Sequence, residues 1–284
     1  MSLIDDFLFE PIEAWEQLPA DIVLGDVAGI AVDSKDRIYL FNRGAHPVVV
    51  LNRDGTFLHA WGQGVFTNPH GASIGPDDSL YLTDNGDHTV RKFTPDGKLL
   101  LQIGVPGQPS PPMSNLPFCR CTHTALSPTG DIYVSDGYGN ACVHKFSPDG
   151  KLLHTWGRPG TREGEFNLPH NICCDEAGLV YVADRENARV PVFDGDGTYL
   201  RSAKEKLFAE VYKFPYVGGT GAGDAFDAGY ITGLLQGLGS RDCMAWGSAL
   251  GGSCVRSISA TESVFTRDEA EAYINEHPLK ISTW

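Results

Sequence analysis

Positive charge is scarce in this chain: 22 lysines and arginines stand against 36 aspartates and glutamates, a formal net charge of -14. Such a surface repels phosphate backbones and anionic lipid, so neither nucleic acid nor a membrane is an expected partner. A polyanionic ligand would need a local basic pocket. Long apolar runs are also missing, and no stretch approaches the roughly 20 consecutive apolar residues of a membrane span. Residues 1 to 10 have neither the basic start nor the apolar stretch of an export signal. The seven cysteines are odd in number, and the adjacent Cys173 and Cys174 fall on opposite faces of any strand, which argues against a disulfide framework. Cys119 and Cys121 lack a second pair at zinc-ribbon spacing. Together these absences predict a soluble, cytoplasmic protein with reduced thiols.

What is present is a repeat. Residues 29–41, 72–84, 124–136 and 172–184 share one pattern, an apolar run into a turn and then an apolar run around a tyrosine. The marker residues Tyr39, Tyr81, Tyr133 and Tyr181 are 42, 52 and 48 residues apart. Asp-Gly pairs at 54, 96, 149 and 196 read as hairpin turns, because glycine supplies the positive φ that tight hairpins need. Several short strands per period of about forty to fifty residues is the arithmetic of a propeller blade. The expectation is a mainly β chain with about four blades over residues 21–203, after an N-terminal extension at 1–20.

His70 and His170 each precede their blade's tyrosine by 11 residues and so hold equivalent places on first strands, which line the central channel of a propeller. Two imidazoles converging on an axis suit zinc, although a zinc that does chemistry takes three protein ligands. His123 precedes Tyr133 by 10 residues, and a one-residue offset turns a strand side chain to the other face. It is therefore left out of the site. His59, His88, His144 and His154 are expected in outer strands or turns, and His277 lies far downstream.

The repeats resemble the NHL propellers, and more closely the peptidyl-α-hydroxyglycine amidating lyases. The likeness is carried by residues 41–46 (Phe-Asn-Arg-Gly-Ala-His), 68–71 (Asn-Pro-His-Gly), 134–140 (Val-Ser-Asp-Gly-Tyr-Gly-Asn), 168–171 (Leu-Pro-His-Asn) and 182–187 (Val-Ala-Asp-Arg-Glu-Asn). It implies a small-molecule or peptide substrate, with zinc on His70 and His170 and substrate handled by Arg43, Tyr138 and Arg185. Tyr138 would act as a general base, its phenolate favoured by the arginines. The products would be a peptide amide and glyoxylate. The family draws its third zinc histidine, and a carboxylate for a calcium site near Ile30 and Ala72, from a blade for which this sequence has no counterpart. Asn42 and Ala45 depart from the family's His and Asp, and Gly139 stands where a cysteine would pair with Cys119.

From about residue 214 the character changes. Residues 219–229 (Gly-Thr-Gly-Ala-Gly-Asp-Ala-Phe-Asp-Ala-Gly) open a segment, 214–284, that resembles the C-terminal third of ribokinase-type (pfkB-like) carbohydrate kinases. A small α-rich fragment of that α/β fold is expected, with Phe226, Tyr230, Leu234 and Leu235 as the apolar face of its first helix. Two further helices are expected near 240–254 and 267–276. By resemblance, the N–H groups of Gly221, Ala222 and Gly223 would form an anion hole and Asp224 would be the base, with ATP and magnesium as cofactors. The length that supplies the lid and sugar specificity in such kinases is occupied here by propeller. Residues 204–213 would form the linker and a first strand of the kinase-like piece, and four blades left as an open ring would invite self-association. A scaffold without catalysis, or a truncated or joined product, is the further alternative.

Overall fold

The computed structural model describes residues 15–202, 207–219, 222–258 and 263–283. Two compact units divide the chain between residues 204 and 205.

The first unit holds four antiparallel sheets, each a meander of four strands in chain order. The first blade comprises β1 (Val27–Val32), β2 (Ile38–Asn42), β3 (Val48–Leu51) and β4 (Phe57–Trp61). The second runs through β5 (Pro69–Ile74), β6 (Leu80–Asp84), β7 (Thr89–Phe93) and β8 (Leu99–Ile103). The third contains β9 (His123–Leu126), β10 (Ile132–Asp136), β11 (Cys142–Phe146) and β12 (Leu152–Trp156), and the fourth β13 (Pro169–Cys174), β14 (Val180–Asp184), β15 (Pro191–Phe193) and β16 (Tyr199–Ser202). The Asp-Gly turns join third to fourth strands, with φ between 83° and 87° at Gly55, Gly97, Gly150 and Gly197. The blades form a β-propeller, as the repeat predicts.

The marker tyrosines explain part of the motif. Tyr39 and Tyr181 donate their hydroxyls to Asp33 and Asp175, the carboxylates that close the turn between first and second strands. Between blades the packing is aromatic: Phe41, Trp61, Phe66 and Phe93 join the first two, while Tyr133, Trp156, Phe166 and Phe193 join the last two. Each inner strand packs on the next, from β1 to β5, β9 and β13, and no comparable packing returns from β13 to β1.

Residues 15–20 are not a free extension. Trp15, Leu18, Ile22 and Leu24 cover the outer face of the first blade with Val49, Leu51 and Phe57. The main chain of Trp15 also sits over Gly55, where an added Cβ would meet its carbonyl.

In the second unit, β17 (Leu207–Ala209) pairs with β18 (Ile281–Thr283), so a strand of this unit falls within residues 204–213. Its helices are α1 (Ala222–Leu235), α2 (Ser240–Cys254) and α3 (Arg267–Glu276), the last with a Thr266–Glu269 capping box. The apolar face expected for α1 holds at Phe226, which packs on α2, and fails at Leu234. Leu234 is 52% exposed and Ile231 53%, whereas Ala225, Gly229 and Gly233 are buried. Gly229 and Gly233 lie against the backbone of Trp246 and Cys243, and Phe226 lies against Gly247 and Gly251, so small residues on both helices let α1 and α2 approach closely. No described helix is long and apolar enough to cross a membrane.

Candidate functional site

The aspartate that ends the second strand fixes the segment before the first. Asp84 accepts hydrogen bonds from the backbone N–H groups of Thr67 and Asn68, at 2.6 and 2.9 Å. Asp184 accepts one from Asn167 at 2.6 Å. Each clamp thereby sets the residues that lead into His70 and His170. Both histidines sit at the bulge of their strand, where register shifts between Pro69 and Gly71 and between Pro169 and Asn171. A bulge leaves its extra residue unpaired and re-aims its side chain. The same corner presents Arg43 after Asn42, Arg185 after Asp184, and Tyr138 two residues after Asp136. Asn42 serves as the first blade's clamp, accepting from the N–H groups of Gly25 and Gly44.

These side chains meet. The Tyr138 hydroxyl lies 3.2 Å from His70 Nε2 and 3.0 Å from His170 Nε2. The two imidazole rings are 5.0 Å apart, centre to centre. His70 Nδ1 is 2.7 Å from the Thr122 carbonyl, which can only accept, so the proton is on Nδ1 and the Nε2 lone pair faces the phenol. One consistent chain of donation follows: His170 Nε2–H to Tyr138, Tyr138 O–H to His70, and His70 Nδ1–H to Thr122.

Burial pushes the His70 imidazole below its usual value; the Thr122 carbonyl opposes this, while Arg43, Arg185 and Arg120 add to the lowering. His170 falls to about 4, through burial first and then through His70 and Arg185. Both rings are therefore neutral at pH 7. The Arg185 guanidinium lies 5.9 Å from the Tyr138 ring centre, and Arg43 donates to the Pro69 carbonyl at 3.2 Å. Arg120, which the sequence reading passed over, is nearer to that ring, at 5.0 Å. It lies on the connection between the second and third blades, outside any repeated position, so periodicity could not have marked it.

His123 pairs with Ser135 as Gly71 pairs with Thr83 and Asn171 with Ala183. Its Nδ1 is 2.9 Å from the Thr124 carbonyl. Gly139 lies against Cys119, where a Cβ would meet the sulfur, and all seven cysteines are free thiols. In the second unit the Ala222 N–H is directed to the Gly219 carbonyl at 3.3 Å. Gly223 faces open space within the first turn. Gly221 and the side chain of Asp224 lie outside what the structure describes.

The profile of the NHL repeat matches residues 66–93, 118–146 and 166–193, and that of the pfkB family carbohydrate kinases matches 193–267. The NHL repeat-containing protein 3 of Homo sapiens is 36% identical over 208 residues, covering 69% of this chain and 59% of its own. The peptidyl-glycine alpha-amidating monooxygenase of Mus musculus is 32% identical over 253 residues, 77% of this chain and 25% of its own. The peptidyl-alpha-hydroxyglycine alpha-amidating lyase 1 of Drosophila melanogaster is 35% identical over 169 residues, 55% of this chain and 31% of its own. The chain carries NHL repeats. It is homologous to the amidating lyases and to other NHL-repeat proteins, and it spans about 60% of the NHL repeat-containing protein 3 length. Among solved structures, a streptogramin B lyase superposes with a TM-score of 0.52 at 16% identity, over 67% of this chain and 60% of its own, a likeness of fold alone.

For an NHL propeller of this lineage, zinc must be tested against the donors present. The His70 tautomer, fixed by a carbonyl behind it, is the orientation a ligating imidazole adopts. Yet both Nε2 atoms already face the Tyr138 hydroxyl, and among the described residues no third His, Cys, Asp or Glu joins them. The set falls one ligand short of the three that a catalytic zinc takes. The three-donor group among the described residues is elsewhere, at Asp136, Cys142 and His144. There His144 takes the place in β11 that Arg91 takes in β7, pairing with Val134 as Arg91 does with Leu82. It contacts Asp136 at 3.3 Å, and its Nδ1 lies 2.8 Å from the Thr155 hydroxyl. This reads as a buried acid–base pair that holds the blade corner.

Proposed function

We propose that the channel site cleaves the C-terminal α-hydroxyglycine of a peptide, releasing glyoxylate and leaving the peptide amide. The observation that carries this reading is the Tyr138 hydroxyl held between two neutral imidazoles with arginines beside it. Arginine guanidinium groups match a carboxylate in charge and shape, so Arg43 and Arg185 bind the substrate's terminal carboxylate. That places the adjacent hydroxyl carbon toward Tyr138.

The chemistry then moves one proton. Tyr138 accepts the substrate hydroxyl proton as it passes its own to the Nε2 lone pair of His70. Thr122 stabilises the resulting imidazolium by accepting its Nδ1–H. As the C–O bond becomes a carbonyl, the C–N bond breaks and its electron pair goes to the amide nitrogen. The proton returns through the same chain to that nitrogen, so none is gained or lost overall. Homology to the amidating lyases supports the reaction class.

The test is glyoxylate release from a peptidyl-α-hydroxyglycine by the full chain. Removing the relay with Tyr138→Phe should lower kcat by about a hundredfold or more, and Arg185→Gln should raise KM. No release above the uncatalysed rate by the unaltered chain would refute the assignment. The second unit gives no comparable constellation among its described residues, and no phosphoryl transfer is assigned to it.

A further inference from the structure

Arg120 was not expected from the repeat, and three features bear on its role. Its backbone is left-handed, at φ 63°, a conformation uncommon for a side-chain-bearing residue. It is held by a bond from its N–H to His88 Nδ1 at 3.0 Å, and its guanidinium stands on the Tyr138 face. Strain of this kind is kept when the surrounding structure fixes it, and it concentrates where a side chain must be aimed.

The other arginines are differently placed. Arg43 has Asp26 at 3.5 Å and Arg185 has Glu186 at 3.0 Å, both exposed pairs of the kind that contributes little and is screened by salt. Among the described residues no carboxylate pairs with Arg120. Arg43 and Arg185 come from the first and fourth blades, at the two ends of the arc, whereas Arg120 enters from its middle. All three guanidinium charges reach His70. A chain with a net charge of -14 therefore gathers three cations around His70.

We propose that Arg120 is a third anion-binding arm of this site, which makes it prefer ligands with two carboxylates over ligands with one. One carboxylate takes the place assigned above to the substrate terminus, and Arg120 meets the second. The proposal rests on the reading of the site as a carboxylate binder but not on turnover.

Calorimetry on the full chain at low salt tests it with two small probes that share a hydroxyl-bearing carbon: tartronate, with two carboxylates, and glycolate, with one. The unaltered chain should bind tartronate about tenfold more tightly than glycolate. Arg120→Gln should bring that ratio near one while glycolate affinity stays within about twofold. Arg120→Lys, which keeps the charge and loses the planar fork, should fall between the two. A ratio that Arg120→Gln leaves unchanged, an equal weakening of both probes, or the absence of tartronate preference in the unaltered chain would each overturn the proposal. So would failure of either probe to bind; glyoxylate release, measured separately, then still reports on the proposed reaction.

Discussion

At the scale of single residues, burial and neighbouring charge decide what the site can do. His170 titrates at about 4 in the folded chain against an ordinary 6.5, so on acidification the unfolded chain takes up this proton first. Its contribution to stability is complete above about pH 6.5 and is lost as pH falls toward about 4. His70 and His123 are lowered in the same sense. The urea midpoint should therefore fall between pH 7 and pH 4.5, and His170→Asn should make that fall shallower; an unchanged slope would show that the ring is not buried neutral. Equal spacing to the marker tyrosine put His70 and His170 at equivalent places, and their rings meet 5.0 Å apart. What the sequence could not disclose was the Tyr138 bridge, which depends on distances between blades, or Arg120, which stands in an irregular connection.

At the scale of elements, the hairpin glycines of the second, third and fourth blades admit side chains from the blade before. An added Cβ on Gly97 would lie 2.7 Å from the Trp61 ring, and one on Gly197 2.6 Å from the Trp156 ring, so a tryptophan ending one blade covers the turn of the next. Gly64 also has a positive φ, 71°, but nothing lies within 4 Å of its added Cβ. The pair separates backbone strain from packing. Gly64→Ala should cost about 1 kcal/mol, the left-handed penalty alone. Gly97→Ala should cost about 3 kcal/mol, because the overlap with Trp61 adds to it. Equal losses in chemical denaturation would mean that the Trp61 contact carries no weight. The periodic strands were legible because alternation and turn chemistry are local. The buried side of α1 was not, because its Gly229 and Gly233 gain their meaning only from the backbone of α2.

At the scale of the whole molecule, four blades form an arc whose ends are free of one another. Ile30 and Val32 on the first blade are 60% and 47% exposed, and Cys173 on the fourth is the one exposed thiol among the described residues. A thiol-reactive dye should find one fast site in the native chain, removed by Cys173→Ser; a slow Cys173 would mean that this end is covered. Exposed apolar inner strands also predict association between copies, which Ile30→Asp should weaken in sedimentation velocity. The arc nonetheless brings together side chains from all its blades, and the proposed reaction depends on that convergence. Glyoxylate release from a peptidyl-α-hydroxyglycine, compared between the unaltered chain and Tyr138→Phe, is the decisive measurement. Release should fall by about a hundredfold or more on loss of the hydroxyl, and equal rates in the two proteins would refute the convergence as the source of catalysis.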